Sequence, residues 1–169
     1  MFFTRRKTTA RGNYDAAILV DMQTRFVSAL RKGALPRLIS SQTTILNQCI
    51  ESDKPVAVLE YKCSDGVETI PELASLLEKV PRSEVIRKSN NDGFIDTNLH
   101  KILRSWEVKH LLLMGINAEY CVLSTTKSAL LLGFKVITAP CLIAGPDHHD
   151  PKDCISWYKR KCTVVENLS

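Results

Sequence analysis

His110-Leu-Leu-Leu-Met-Gly-Ile-Asn-Ala-Glu-Tyr-Cys-Val-Leu-Ser-Thr-Thr-Lys-Ser-Ala-Leu-Leu-Leu-Gly133 is the stretch that decides the fold. It reads as a buried strand from Leu111 to Met114, a tight turn at Gly115, and a helix from about Ala118 to Leu132. Gly133 closes that helix, glycine being favoured just past a helix end because it accepts positive φ. Cys121 then falls in the first turn of a helix that follows a strand. Unpaired backbone N–H groups and partial positive charge gather there, so the position predicts a depressed thiol pKa and donors for a developing oxyanion. The alternative is a structural cysteine, since free cysteines are among the most buried residues.

Outward from this unit the same pattern repeats. Ala16 to Val20 is a short continuous apolar run, as expected of a strand covered on both faces, and Asp21 stands at its carboxyl end. An aspartate there is either a helix cap or a functional group. Pro36 to Glu51 reads as an amphipathic helix with Leu38, Ile39, Ile45, Leu46, Cys49 and Ile50 inward. Pro55 to Leu59 is a second buried strand, ending at Glu60 and Tyr61. Residues 63–77 are polar, then weakly helical. Ser83 to Arg87 is a third strand that delivers Lys88, either a solvated charge or a site cation. The turn-rich loop Ser89 to Phe94 leads to a helix from about Thr97 to Trp106, and Lys135 to Ala139 follows Gly133 as a fifth strand. Strands and helices alternating at short spacing call for an α/β fold, a doubly wound parallel sheet with helices on both faces. Ligands of such sheets bind beyond the carboxyl ends of the strands. Asp21, Lys88 and Cys121 converge on that edge.

Composition bounds the rest. A chain of 169 residues with 44% hydrophobic content and only seven Gly and seven Pro has the make-up of a folded domain that needs no disulfide help. Its six cysteines form no CxxC pair and no secretory signal precedes them, which favours a reduced, cytoplasmic setting. The net charge of +5 owes most of its excess to Arg5, Arg6, Lys7 and Arg11. Residues 1–14 thus read as a basic lead-in, with a transit peptide as the lesser alternative, and 15–169 as one domain. The body is close to balanced, so no nucleic-acid partner is implied. No apolar run is long enough to span a bilayer.

Three segments together resemble a known family: Leu19-Val-Asp-Met-Gln23; Lys88 to Phe94 with Thr97 and Leu99; and Gly115-Ile-Asn-Ala-Glu-Tyr-Cys121-Val with Thr125, Ala129 and Gly133. They look like the isochorismatase-like cysteine hydrolases, which include nicotinamidases and N-carbamoylsarcosine amidases. The resemblance spans roughly residues 15–145. It implies a mostly parallel, six-stranded, three-layer sheet and carries a catalytic triad onto Asp21, Lys88 and Cys121. It also implies a cis peptide between Ile116 and Asn117 that turns backbone N–H groups of Asn117 and Cys121 toward an oxyanion. The expected reaction is hydrolysis of a C–N bond in a small amide through a covalent thioester. A catalytically silent binding or assembly protein is the alternative.

One departure from the nicotinamidase pattern is plain. Those enzymes hold a metal with an Asp-x-His pair and a further His after the second strand, where this chain has Glu60, Tyr61, Lys62 and Cys63. No metal or other cofactor is therefore called for. His148, His149 and Asp150 sit in a Pro- and Asp-rich loop and read as solvated. Phe26, Tyr61, Phe94 and Tyr120 are candidate substrate-binding walls, with Trp157 a further one, and each is equally ordinary core. Leu123, Leu130, Leu131 and Leu132 give one helix more apolar surface than a single core covers, which suggests a homo-oligomer.

Overall fold

The computed structural model describes residues 10, 13–30, 33–65, 68–145 and 151–169, with 151–153 by backbone alone. Two wholly apolar strands lie side by side at its centre, β1 (Ala16–Val20) and β4 (His110–Ile116). Both are buried from end to end apart from His110, which explains why neither sequence alternates. Around them stand β2 (Val56–Tyr61), β3 (Ser83–Lys88) and β5 (Lys135–Thr138), with two-residue strands β6 (Ile143–Ala144) and β7 (Thr163–Val164). The order is β3-β2-β1-β4-β5-β7, with β6 also paired to β4, and every strand pair is parallel. The sheet has seven strands where six were expected, because β6 and β7 are too short to leave a periodic signal.

The helices are α1 (Thr24–Val27), α2 (Ala34–Glu51), α3 (Pro71–Leu77), α4 (Leu99–Ser105), α5 (Cys121–Leu131) and α6 (Pro151–Lys161). Successive side chains of a strand point to opposite faces. Ala17 and Leu19 accordingly enter a core with Leu38, Ile45 and Leu46 of α2 and Leu73 and Leu77 of α3. Ala16, Ile18 and Val20 enter another with Leu99 and Leu103 of α4, Val122 and Ala129 of α5, and Tyr158 of α6. This is the three-layer arrangement the alternation called for. Each fully buried aliphatic side chain contributes roughly 1.5–3 kcal/mol to it.

Several boundaries differ from the sequence reading. β2 and β3 run on to Tyr61 and Lys88, α2 starts two residues before Pro36, and α5 starts at Cys121 itself rather than near Ala118. Gly115 is not a turn: it sits inside β4 at φ 147°, opposite Val20, where an added Cβ would lie 2.2 Å from the Val20 carbonyl oxygen. Only glycine lets the two central strands approach there. The chain turns two residues later, at Asn117. Helix α6, lysine-rich and of low hydrophobicity, was not anticipated. The lead-in is docked at its end: Ala10 and Tyr14 are buried, and Ala10 N–H donates to the Asn167 carbonyl at 2.9 Å. Arg5, Arg6, Lys7 and Arg11 lie outside the described residues.

Chain order builds β1, β2 and β3 outward in one direction, then crosses to β4 on the other side of β1. The crevice at the carboxyl ends of β1 and β4 is therefore the topological switch point.

Candidate active site

Asp21 occupies that crevice. Its N–H completes the β1 ladder by donating to Leu59 O at 2.9 Å, after which its backbone takes φ 52°, and Gln23 N–H folds back onto Asp21 O at 2.7 Å. Aspartate tolerates this left-handed region better than most residues, at a cost of about 1 kcal/mol. Lys88 comes from the end of β3, two strands away, and its long side chain spans the distance. Its Nζ donates to Asp21 Oδ2 at 2.9 Å and to Asn90 O at 3.2 Å, and lies 4.7 Å from the centre of the Tyr61 ring. Both members of the ion pair have fully buried side chains. Asp21 Oδ1 is buried and receives no backbone or cationic donor. Burial raises the Asp21 pKa above its ordinary value; the Lys88 charge and then a hydrogen bond with the Cys121 thiol oppose this, and Glu60 adds to it.

Cys121 is the first residue of α5, buried, with Sγ 3.6 Å from Asn91 Oδ1. The helix N-terminus was expected to depress its pKa. Instead the thiol is pushed up to about 12, by burial first and then by the negative charge of Asp21, with Lys88 pulling the other way. Lys88 lowers the thiol's pKa through its charge and through a hydrogen bond, but burial and the Asp21 charge outweigh both.

The turn before α5 also departs from expectation. Among the described residues there is no cis peptide, so the Ile116–Asn117 bond is trans. Asn117 makes the turn by adopting φ 62°, a conformation asparagine accepts more readily than most side chains. Its carbonyl receives the N–H groups of Tyr120 at 2.9 Å and Val122 at 3.2 Å, while Ala118 N–H donates to Ala144 O at 3.0 Å. Cys121 N–H, in the first turn, has no carbonyl within α5 to bond.

The loop after Lys88 is locked to α5. Gly93 N–H donates to Thr125 Oγ1 at 2.9 Å, Ser128 Oγ donates to Asp92 Oδ2, and Phe94 N–H donates to Asp92 Oδ1 at 2.9 Å. A Cβ on Gly93 would meet Leu59 Cδ1 at 2.4 Å, so the loop presses on β2 as closely as glycine permits. Asn91 rides on this locked loop. Sequence reasoning missed it, although it lies inside the turn-rich stretch that followed Lys88. Glu60 was also missed as a buried acid, although it lies near the carboxyl end of β2 as Asp21 lies just past that of β1. Glu60 is tied down: Oε1 receives Thr69 N–H at 2.8 Å and Thr69 Oγ1 at 3.0 Å.

The candidate walls separate. Phe26 packs edge-on against Tyr61 at 6.2 Å, and the Gln23 side chain grips the Tyr61 backbone at both N–H (2.7 Å) and C=O (3.0 Å). Tyr120 stands 44% exposed beside Cys121. The Phe94 ring stacks on Phe134 and meets His100 edge-on, in an aromatic cluster behind the loop. Trp157 packs against Tyr158. Leu123 and Leu130 lie against the core, whereas Leu131 and Leu132 are exposed. Among the described residues no three of His, Cys, Asp and Glu converge to hold a metal ion. His148, His149 and Asp150 lie outside the described residues. No described helix is long and apolar enough to cross a membrane.

A family model for the isochorismatase domain matches residues 15–153. The chain is 33% identical over 130 residues to a streptothricin hydrolase of Streptomyces noursei, a match covering 72% of this chain and 46% of that protein. It spans about half the length of the curated relatives it matches. A nicotinamidase from Staphylococcus aureus shares its fold with a TM-score of 0.79 at 22% identity, covering 91% of this chain and 99% of that one. N-carbamoylsarcosine amidase from Thermoplasma acidophilum does so with a TM-score of 0.75 at 23% identity, covering 89% and 94%.

Proposed function

We propose, because the chain belongs to the isochorismatase family, that it is a cysteine hydrolase cleaving a C–N bond of a small amide-type substrate. The observation that carries this reading is the division of labour on Asp21: Oδ2 is held by Lys88, and the buried Oδ1, which no backbone group or cation holds, is left to the Cys121 thiol. As Cys121 Sγ attacks the substrate carbonyl carbon, Asp21 Oδ1 takes the thiol proton. With the thiol near pKa 12, this transfer is uphill until the S–C bond forms, so proton loss and attack proceed together. The oxyanion rests against the N–H groups of Asn117 and Cys121. Collapse breaks the C–N bond, and the leaving nitrogen takes the proton back from Asp21. Water then attacks the thioester, giving its proton to Asp21, and the carboxylic acid and Cys121 thiol are released. Lys88 keeps Asp21 ionised and aimed. Phe26, Tyr61 and Tyr120 wall the substrate.

The experiment is a screen of small amides with intact-protein mass spectrometry. Product release together with an acyl adduct on Cys121 is the expected result. Binding without turnover, unchanged in Cys121→Ala, would instead identify a silent binding protein, a reading that the protonated resting thiol also accommodates. We further infer a homo-oligomer, supported by the exposed Leu131 and Leu132, and a reducing cytoplasm, supported by six unpaired cysteines. Sedimentation at micromolar concentration showing only a 19.0 kDa species would sink the former.

A further inference from the structure

Helix α6 begins at residue 151, so most of it lies beyond the family match, which ends at 153. It nevertheless reaches the turn that leads to the nucleophile. Tyr158 Oη donates to the Ala118 carbonyl at 2.8 Å, and Cys154 Sγ donates to the same oxygen at 3.2 Å. Both side chains are buried, Tyr158 completely. The Cys154 thiol is pushed up to about 12 by burial and then by the nearby Glu119 charge, so it stays protonated and remains a donor at neutral pH. On the other side of the residue, Ala118 N–H is fixed by Ala144 O at 3.0 Å. That strand is itself braced: Gln42 Nε2 donates to Leu142 O at 3.2 Å, and Gly115 N–H donates to the same oxygen at 3.0 Å.

A buried carbonyl normally has one or two acceptances to satisfy, and surrounding water could not supply them here. Two side-chain donors from one helix on a single oxygen fix the plane of the Ala118–Glu119 peptide. In a trans peptide the C=O and the following N–H point to opposite sides. Directing Ala118 C=O into α6 therefore turns Glu119 N–H away from α6 and sets the path of the backbone from Asn117 to Cys121.

We infer that Tyr158 and Cys154 are positioning residues, a clamp that holds the 117–121 turn in the shape that receives the oxyanion. The inference rests on the proposed hydrolysis for its catalytic consequence but not for the clamp itself, and the two can be tested apart. Tyr158→Phe keeps the ring and removes one donor; Tyr158→Phe with Cys154→Ala removes both; Cys154→Ser restores a donor. Hydrogen exchange read by mass spectrometry on peptides covering 117–121 should quicken in Tyr158→Phe, and further in the double variant, with exchange in β1 unchanged. On an amide substrate kcat should fall roughly tenfold in Tyr158→Phe with KM unmoved, as an indirect loss of oxyanion alignment should be milder than losing a donor outright. The affinity of an aldehyde that forms a tetrahedral adduct with Cys121 should fall in parallel. Cys154→Ser should retain wild-type exchange and kcat.

Unchanged exchange at 117–121 in the double variant overturns the clamp. Faster exchange with unchanged kcat and aldehyde affinity overturns the positioning role, as does a loss that tracks the melting temperature or falls on KM. A wild-type protein that hydrolyses no amide and gains no adduct defeats the hydrolase reading instead, and the exchange data still decide the clamp.

Discussion

The two ends of β1 carry one aspartate each, and the chain treats them oppositely. Asp15, just before the strand, is half exposed and carries three contacts on one oxygen: its Oδ2 accepts Lys109 N–H at 2.9 Å, His110 N–H at 2.8 Å, and lies 3.1 Å from His110 Nδ1. Burial tends to raise its pKa, but the two backbone donors and His110 outweigh it and hold the carboxyl below its ordinary value. Asp21, just past the strand, is wholly buried, has no backbone donor on its carboxylate but the Lys88 cation on Oδ2, and has a raised pKa. The amino edge of the sheet uses its acid to tie β1 to β4. The carboxyl edge leaves its acid short of a partner, in a strained backbone, and that is where a proton can be taken.

The largest effects should come from the carboxyl edge. Cys121→Ala and Asp21→Asn should each lower kcat at least ~10³-fold on any amide the wild type turns over, because each removes a group the proposed mechanism uses as nucleophile or base. Retention of more than a tenth of the activity in either variant would break the comparison. Lys88→Met should come next, at roughly 10²-fold near neutral pH, and its recovery profile is the sharper test. Asp21 works as a base only when ionised, so activity falls as pH drops through its raised pKa. Removing the cation raises that pKa further, so the acid limb of kcat/KM should move upward and activity should partly return at higher pH. A profile that falls uniformly without shifting would mean Lys88 does not govern Asp21. Removing one partner of a buried pair is also destabilising, typically by about 3–5 kcal/mol, so folding is to be checked by thermal melting.

A smaller effect concerns the free thiol. Burial and the Asp21 charge hold the Cys121 thiol well above its ordinary pKa, which disfavours the thiolate at pH 7. Iodoacetamide without substrate should therefore label exposed Cys141 before Cys121. If Cys121 were labelled first, the site would hold a preformed ion pair and the concerted step would be wrong.

How much of this was legible in the sequence follows the same division. The apolar runs of β1, β2 and β4 needed no partner to be recognised, since burial on both faces leaves nothing but aliphatic residues. Asp21, Lys88 and Cys121 were legible as a set because each stands at or just beyond the carboxyl end of a strand, β1, β3 and β4 in turn. The state of the thiol was not, since helix position and desolvation push its pKa in opposite directions and only the depth of burial decides. The packing of Phe94 on Phe134 and His100 was not legible, because an aromatic residue in a loop carries no sign of which rings will be brought to it. Asn91, Glu60, Tyr158 and Cys154 were silent for a related reason: each acts through a contact at least nine residues distant, 30 or more for all but Glu60.

The smallest prediction tests the quiet end of β1. The folded state holds Asp15 below its ordinary pKa, so its ionised form binds β4 better than its protonated form does. That stabilisation is complete at pH values above the unfolded carboxylate's, about 3.9, and is lost as pH falls through the lower folded value. Asp15 is half exposed, so solvent screening limits the whole contribution to about 1 kcal/mol or less. Asp15→Asn should therefore lower the melting temperature by a few degrees at pH 7 and by less near pH 3, where the wild type has begun to lose the same contribution. Added salt should narrow the difference at pH 7 but leave part of it, because two of the three contacts are hydrogen bonds to backbone N–H groups. Its hydrolytic rate should stay within about twofold of wild type, since the site lies at the other end of the strand. A Tm difference that grew on acidification, or a fall in kcat with an unchanged fold, would show that the two edges are coupled along β1 and that the division between them is false.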